Sequence, residues 1–166
     1  MKKIVGIFLF VIIAVSCAAA VYAEPSEYCS IVFELTSGIV IDDVNADKVV
    51  PVGTMNKLMT VLLAAEKINC KGLSLDTAVK VSEYANSMQG AQIWLMPNES
   101  ITVEELLKGI IIGNANDASV VIAEAVSGSE KKFVAAMNNK AAELGMKNTS
   151  FTNCCGYYDD EKQLST

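Results

Sequence analysis

The sequence predicts a mixed α/β chain: one β-hairpin near the start, then a series of helices. Three observations carry this prediction. The segment from Tyr28 to Lys48 alternates apolar and polar residues and breaks at Thr36-Ser37-Gly38. Several later segments repeat apolar residues at helical spacing. Since a two-stranded sheet alone is marginal, the inventory reads as the front part of a larger α/β domain that ends before its closing strands.

The first residues follow a secretory plan, with Lys2 and Lys3, an apolar run from Ile4 to Val15, and small residues ending in Val21-Tyr22-Ala23. Cleavage after Ala23 is expected, giving a signal peptide at 1–23 and a mature segment at 24–166. The run is shorter than the roughly 20 apolar residues that span a bilayer, so membrane contact is expected only through this segment if it stays uncleaved. A lipidated Cys17 is disfavoured by Ala14, a poor fit to the aliphatic residue expected before such a cysteine. The chain is therefore expected in the cell envelope or outside it.

The hairpin is expected at Ser30 to Leu35 and Ile39 to Asp42. From Thr54 to about Ile68 the pattern is helical with almost no polar face, which predicts a helix buried in the centre of the fold. Val79 and Val81 belong to a short alternating run followed by a helical turn, and "SMQGAQIWLMPNES" reads as loop and short strand. Thr102 and Glu105 form a capping box that opens a helix through Ile112. "GNAN" interrupts it, and a second helix from about Asp117 to Val126 buries Ala118, Val121, Ile122 and Ala125. A third carries Phe133, Ala136, Met137, Lys140, Ala141 and Leu144 at helical spacing and stops at Gly145, a C-cap glycine. Trp94, the single tryptophan, is expected in the core or at a cleft edge.

Charge and residue types exclude several functions. The net charge is −6, and becomes −8 once Lys2 and Lys3 leave with the signal, which argues against nucleic acid as a partner. Cys29, Cys70, Cys154 and Cys155 remain, with no CxxC spacing and no histidine. No metal or other cofactor is expected. Buried thiols or one or two disulfides of unspecified pairing fit these cysteines. With no basic neighbour in sequence, Cys154-Cys155-Gly156 reads as a structural turn. The missing histidine also removes Ser-His-Asp and Cys-His mechanisms, so any nucleophile needs a lysine, a carboxylate or an outside group.

One stretch meets that need. In "PVGTMNKLMT", Thr54 precedes Lys57 by three residues, which places both on one helix face. Thr54 follows Gly53 at the helix start, where backbone N–H groups stabilise a developing oxyanion. Burial of Lys57 by its apolar neighbours lowers its pKa and supplies a neutral amine as base. The competing interpretation is a threonine cap followed by a lysine that reaches solvent.

The stretch resembles the "PASxTKxMT" segment of the serine D-alanyl-D-alanine carboxypeptidases, which are low-molecular-weight penicillin-binding proteins of the peptidase S11 type. "ELTSGIVI" is similar to the family's opening hairpin and "LSLDTAVKVSEYA" to its following turn and strand. "LLKGIIIGNANDASVVIAEAVSGSEKKFVAAMNNKAAELGMKNTSFTN" is similar to its helical core, and the resemblance spans about Tyr28 to Thr166. It implies the β-lactamase/transpeptidase-like fold, present here as N-terminal hairpin plus helical subdomain. It also implies Thr54 as attacking hydroxyl, Lys57 as its base, and Asn114-Ala115-Asn116 as the Ser-x-Asn motif. In that motif Asn114 occupies a catalytic position and Asn116 holds substrate. Thr54 and Asn114 both replace serine, and the family's Lys-Thr-Gly motif is not found within the 166 residues.

The implied function is an exported enzyme that removes terminal D-alanine from peptidoglycan stem peptides ending in D-Ala-D-Ala through an acyl-enzyme, with β-lactams as inhibitors. The alternatives are a catalytically silent exported module that binds peptidoglycan or a partner, and an inactive fragment of a longer enzyme.

Overall fold

A computed structural model describes residues 28–157. The expected signal segment, Cys17 and residues 158–166 lie outside the described residues. Those described fall into two compact units, divided after Ala46.

The first unit contains the hairpin. Strands β1 (Ser30–Phe33) and β2 (Val40–Val44) pair antiparallel, with Ser30 opposite Val44 and a register shift between Val32 and Phe33. The first strand ends earlier than expected because Glu34 builds the turn. Its carboxylate accepts hydrogen bonds from Thr36 N (2.9 Å) and Ser37 N (2.6 Å), while Gly38 takes a positive φ of 69°. The second strand runs on to Val44 because Ile31 still pairs with Asp43. Ile31, Val32, Phe33, Val40 and Ile41 are exposed.

The second unit opens with a 3-10 turn, Gly53–Met55, that leads into helix α1 (Asn56–Asn69). Here the structure corrects the expectation of a helix buried all round. Asn56, Lys57, Met59, Thr60, Leu63 and Ala64 are buried, while Met55, Leu58 and Leu62 are exposed. Lys57 and Thr60 point inward because the interior offers them acceptors, whereas Asn56 buries its Oδ1 without a hydrogen-bond partner. The outward apolar residues line a cavity of about 320 Å³ together with Val52, Met146 and Phe151.

Strands β3 (Ala78–Lys80) and β4 (Ser100–Thr102) form a second antiparallel pair, with Val79 opposite Ile101. Between them lies the short helix α2 (Glu83–Asn86), whose N-cap Ser82 accepts from Ala85 N. Helix α3 (Val103–Gly113) carries the expected capping box: Glu105 N donates to Thr102 Oγ1, and Thr102 N donates to Glu105 Oε2. Helix α5 (Glu130–Glu143) ends in a Schellman motif, where Met146 N reaches Ala141 O and Gly145 N reaches Ala142 O at a φ of 77° for Gly145.

Helix α4 (Asn116–Ser127) forms the centre, packed by α1, α2, α3 and α5. Its residues Asn116 to Ala123 are all buried, a wider surface than the apolar stripe expected, whereas Ala125 is only half-buried. Gly109 permits α3 to approach closely, since a Cβ there would lie 3.6 Å from that of Ala118 and 2.8 Å from Ile93 Cδ1. Phe133, Met137, Leu106 and Ile122 fill the remaining core, each worth about 1.5–3 kcal/mol of burial.

Trp94 does not pack in the core. It is 79% exposed, with a left-handed φ of 61°. The flanking amides explain this: Ile93 N and Leu95 N both donate to the carboxylate of Asp117, at 3.2 and 3.1 Å. That clamp fixes the backbone on both sides of Trp94, with Leu95 buried and the indole outside. The four described cysteines are free thiols, Cys154 and Cys155 being buried. Among the described residues no helix is long and apolar enough to cross a membrane.

Candidate active site

The inward polar face of α1 meets two other segments, the N-terminus of α4 and the turn around Cys154-Cys155. Lys57 is 5% exposed, and its Nζ donates to Asn116 Oδ1 and to the carbonyl oxygen of Cys155, each at 2.8 Å. One turn further along, Thr60 Oγ1 donates to the carbonyl of Cys154 at 2.6 Å. Lys57 therefore does not extend to solvent, which removes the reading of a surface lysine behind a threonine cap.

Asn116 is held at its other end. Its Nδ2 donates to Gln89 O at 2.6 Å, and its backbone N donates to Ala91 O at 2.7 Å. These donations fix the amide so that Oδ1 faces the amine. The loop passes so close that a Cβ on Gly90 would lie 2.8 Å from Asn116 Nδ2.

Burial lowers the pKa of Lys57, and charge on the neighbouring Cys155 and Cys154 thiols acts the other way. A neutral amine has two N–H donors and one lone pair. Asn116 Oδ1 and Cys155 O take both donors, so in that form the lone pair remains available to accept a proton.

Thr54 lies in the 3-10 turn just before α1 and is exposed. No side-chain cap bond forms at Val52 or Met55, the cap positions of that turn and of α1. Among the described residues no hydrogen bond joins the Thr54 hydroxyl to Lys57, whose two bonds go elsewhere. Asn114 is the C-cap of α3 in a left-handed conformation (φ 53°) and is exposed, without a contact to the amine. The structure thus brings Lys57 and Asn116 together and leaves Thr54 and Asn114 at the rim.

Sequence reasoning missed the turn carbonyls. A backbone acceptor has no residue signature, and Cys154-Cys155-Gly156 reads in the sequence only as a structural turn. The expectation that no basic group surrounds the pair is also corrected, because Lys57 sits beside it and helps to lower the Cys155 pKa, after the larger effects of the Cys154 hydrogen bond and the Tyr157 backbone hydrogen bond. Gly156 completes the contact: at a φ of 70°, a Cβ there would lie 1.8 Å from Gly53 O. The turn is pressed directly against the 3-10 turn that carries Thr54.

Comparison with known proteins places this chain in a family. Residues 18–166 match the D-alanyl-D-alanine carboxypeptidase family, peptidase S11, and the chain belongs to it. The chain is 44% identical over 131 residues to D-alanyl-D-alanine carboxypeptidase DacF of Bacillus subtilis, covering 79% of this chain and 34% of that one. With D-alanyl-D-alanine carboxypeptidase DacC of Escherichia coli the identity is 31% over 142 residues, covering 82% and 35%. Among solved structures, the D-alanyl-D-alanine carboxypeptidase DacD from Francisella tularensis superimposes with a TM-score of 0.81 at 29% identity, covering 86% of this chain and 34% of that one. Penicillin-binding protein D2 from Listeria monocytogenes, solved in its ampicillin-bound form, gives 0.73 at 28% identity, covering 83% and 56%. The mixed helix and sheet arrangement is that of the penicillin-binding carboxypeptidases. The chain spans about a third of the length of the curated relatives it matches.

Proposed function

We propose that this chain is the lysine-bearing part of an exported D-alanyl-D-alanine carboxypeptidase, with residues 1–23 as signal peptide and 24–166 as part of the catalytic domain. Its substrate is the D-Ala-D-Ala end of a peptidoglycan stem peptide. The single observation that carries the reading is a desolvated Lys57 whose N–H groups are committed to Asn116 Oδ1 and Cys155 O.

In this reading Lys57 takes the proton of Thr54 as its Oγ1 bonds to the penultimate D-alanine carbonyl carbon. The terminal D-alanine leaves with a proton returned from the amine, and water then cleaves the resulting ester. Asn116 holds Lys57 and, as the family resemblance implies, meets substrate, while Asn114 takes the catalytic position of the motif's serine. The name of the Listeria relative, with its bound ampicillin, supports penicillin as a probe of this chain.

Incubation with a fluorescent penicillin, followed by peptide mass spectrometry, tests the reading. An adduct on Thr54 that disappears in Thr54→Ala supports it. A second reading, a catalytically silent binding module, is favoured by one observation: Asn114 presents an exposed amide, with no contact to Lys57, where the family resemblance implies a serine. No adduct on a chain shown to be folded selects that second reading.

A further inference from the structure

The two carbonyls that meet α1 belong to consecutive peptide groups, and both groups are anchored at their opposite edges by one side chain. Asn153 Oδ1 accepts from Cys155 N at 3.1 Å and from Gly156 N at 2.6 Å. The peptide group joining Cys154 to Cys155 therefore has its N–H on Asn153 and its carbonyl on Thr60. The next group, joining Cys155 to Gly156, has its N–H on Asn153 and its carbonyl on Lys57.

A trans peptide is planar, with N–H and C=O pointing to opposite sides. Rotation of either plane must break both of its bonds together. Asn153 Nδ2 closes the turn on Tyr157 O at 2.8 Å. Cys154 N, the amide before the pair, donates to Glu130 Oε1 at 3.0 Å, and Tyr84 OH donates to Glu130 Oε2 at 2.6 Å. The turn is thus braced from α5 as well, and hydrogen bonding at its N–H edge strengthens the carbonyl as an acceptor at the other.

We infer that Asn153 is a positioning residue for Lys57: through a single peptide plane it fixes the Cys155 carbonyl that orients the amine. This rests on the reading of Lys57 as base. A merely structural Asn153 would act like Asn138, whose side chain makes three bonds, to Phe151 N, Phe151 O and Val134 O, in the segment just before the turn but on neither peptide plane.

The test compares Asn153→Ala, Asn153→Asp and Asn138→Ala by two measurements. The first needs no activity: in a Cys154→Ser, Cys155→Ser background, which removes the two neighbouring thiols that also titrate, the 13C carbonyl resonance at position 155 is followed against pH, where it reports the protonation of Lys57. The background alone, Asn153→Asp and Asn138→Ala are expected to show a carbonyl shift that tracks Lys57, and Asn153→Ala to lose it. The second is acylation by benzylpenicillin. Asn153→Ala is expected to slow the covalent step about tenfold with noncovalent affinity changed less than about twofold, and Asn153→Asp, which retains the acceptor, to recover to within about threefold. A carbonyl that tracks Lys57 unchanged in Asn153→Ala overturns the inference, as does its loss in Asn138→Ala. If the wild-type chain takes up no penicillin, the carboxypeptidase reading fails while the carbonyl titration still decides this one. Should Asn153→Ala fail to fold, loss of tracking in Asn153→Asp overturns the inference and its retention supports it.

Discussion

Lys57 Nζ lies 2.8 Å from Asn116 Oδ1, although 59 residues separate them in sequence. The contact exists because α1 turns a polar face inward and α4 begins at the same point. Asn116 Nδ2, tied to Gln89 O, leaves the amide oxygen no alternative orientation.

From this follows a pH dependence. Penicillin acylation of Thr54 should rise with pH to a midpoint below the ordinary lysine range, since burial lowers the Lys57 pKa. The folded pKa lies below the unfolded one, so the unfolded chain binds more protons between the two values and stability increases with pH across that window. Below the window the burial cost of the ammonium acts in full. Denaturant titrations of wild type and Lys57→Met, from neutral pH upward, should show wild type gaining on the variant.

The Asp117 carboxylate holds Ile93 N, Leu95 N and Ala118 N while only 1% exposed. Asp117→Ala leaves three amides without their acceptor and should cost about 3 kcal/mol in urea unfolding. Asp117→Asn should cost less, because one oxygen remains.

Two glycines separate backbone strain from close approach. Gly128 has a φ of 79° with open space around it, so Gly128→Ala should cost about 1 kcal/mol for its left-handed backbone alone. Gly156→Ala adds a collision with Gly53 O and should cost about 3 kcal/mol or more. Thermal unfolding of the pair measures the difference.

Glu34 is pulled to a pKa of about 2, first by Ser37 and then by the Thr36 amide. A depressed carboxylate contributes stability above its unfolded pKa and loses it as pH falls through the folded value. The amide shifts of Thr36 and Ser37 should therefore titrate near pH 2, and a midpoint in the ordinary glutamate range would show that the turn bonds are absent in solution.

Trp94, 79% exposed and the single tryptophan, offers a check of the loop. Its fluorescence should have solvent-like emission and full access to iodide. Asp117→Ala should alter the quenching, as it releases the amides on either side of the indole.

Much of this architecture was legible in the residues. Thr102 with Glu105, Gly145 after its helix, and the break at Thr36-Ser37-Gly38 all mark local backbone events that their own side chains create. The errors came where long-range partners decide the outcome. Apolar spacing in α1 predicted full burial, yet Met55 and Leu58 lie outside, since Lys57 and Thr60 have interior acceptors supplied by a turn almost a hundred positions away. Of the two places expected for Trp94, the core fails for a similar reason: hydrophobicity argues for it, but Asp117 dictates the backbone. Lys57 and Asn116 were identifiable through the family resemblance. The Cys154 and Cys155 carbonyls were not, because every residue type carries the same acceptor.

The bonds from Thr60 to Cys154 and from Lys57 to Cys155 close loops of 94 and 98 residues. Closing such long stretches delays their formation relative to helix growth. During synthesis, the amine must therefore wait until the ribosome has released the Cys-Cys-Gly turn, and a nascent chain stalled earlier would present a complete α1 whose lysine has no carbonyl to meet. The contacts of Lys57 and Thr60 with this turn thus form late in the assembly of this part of the protein.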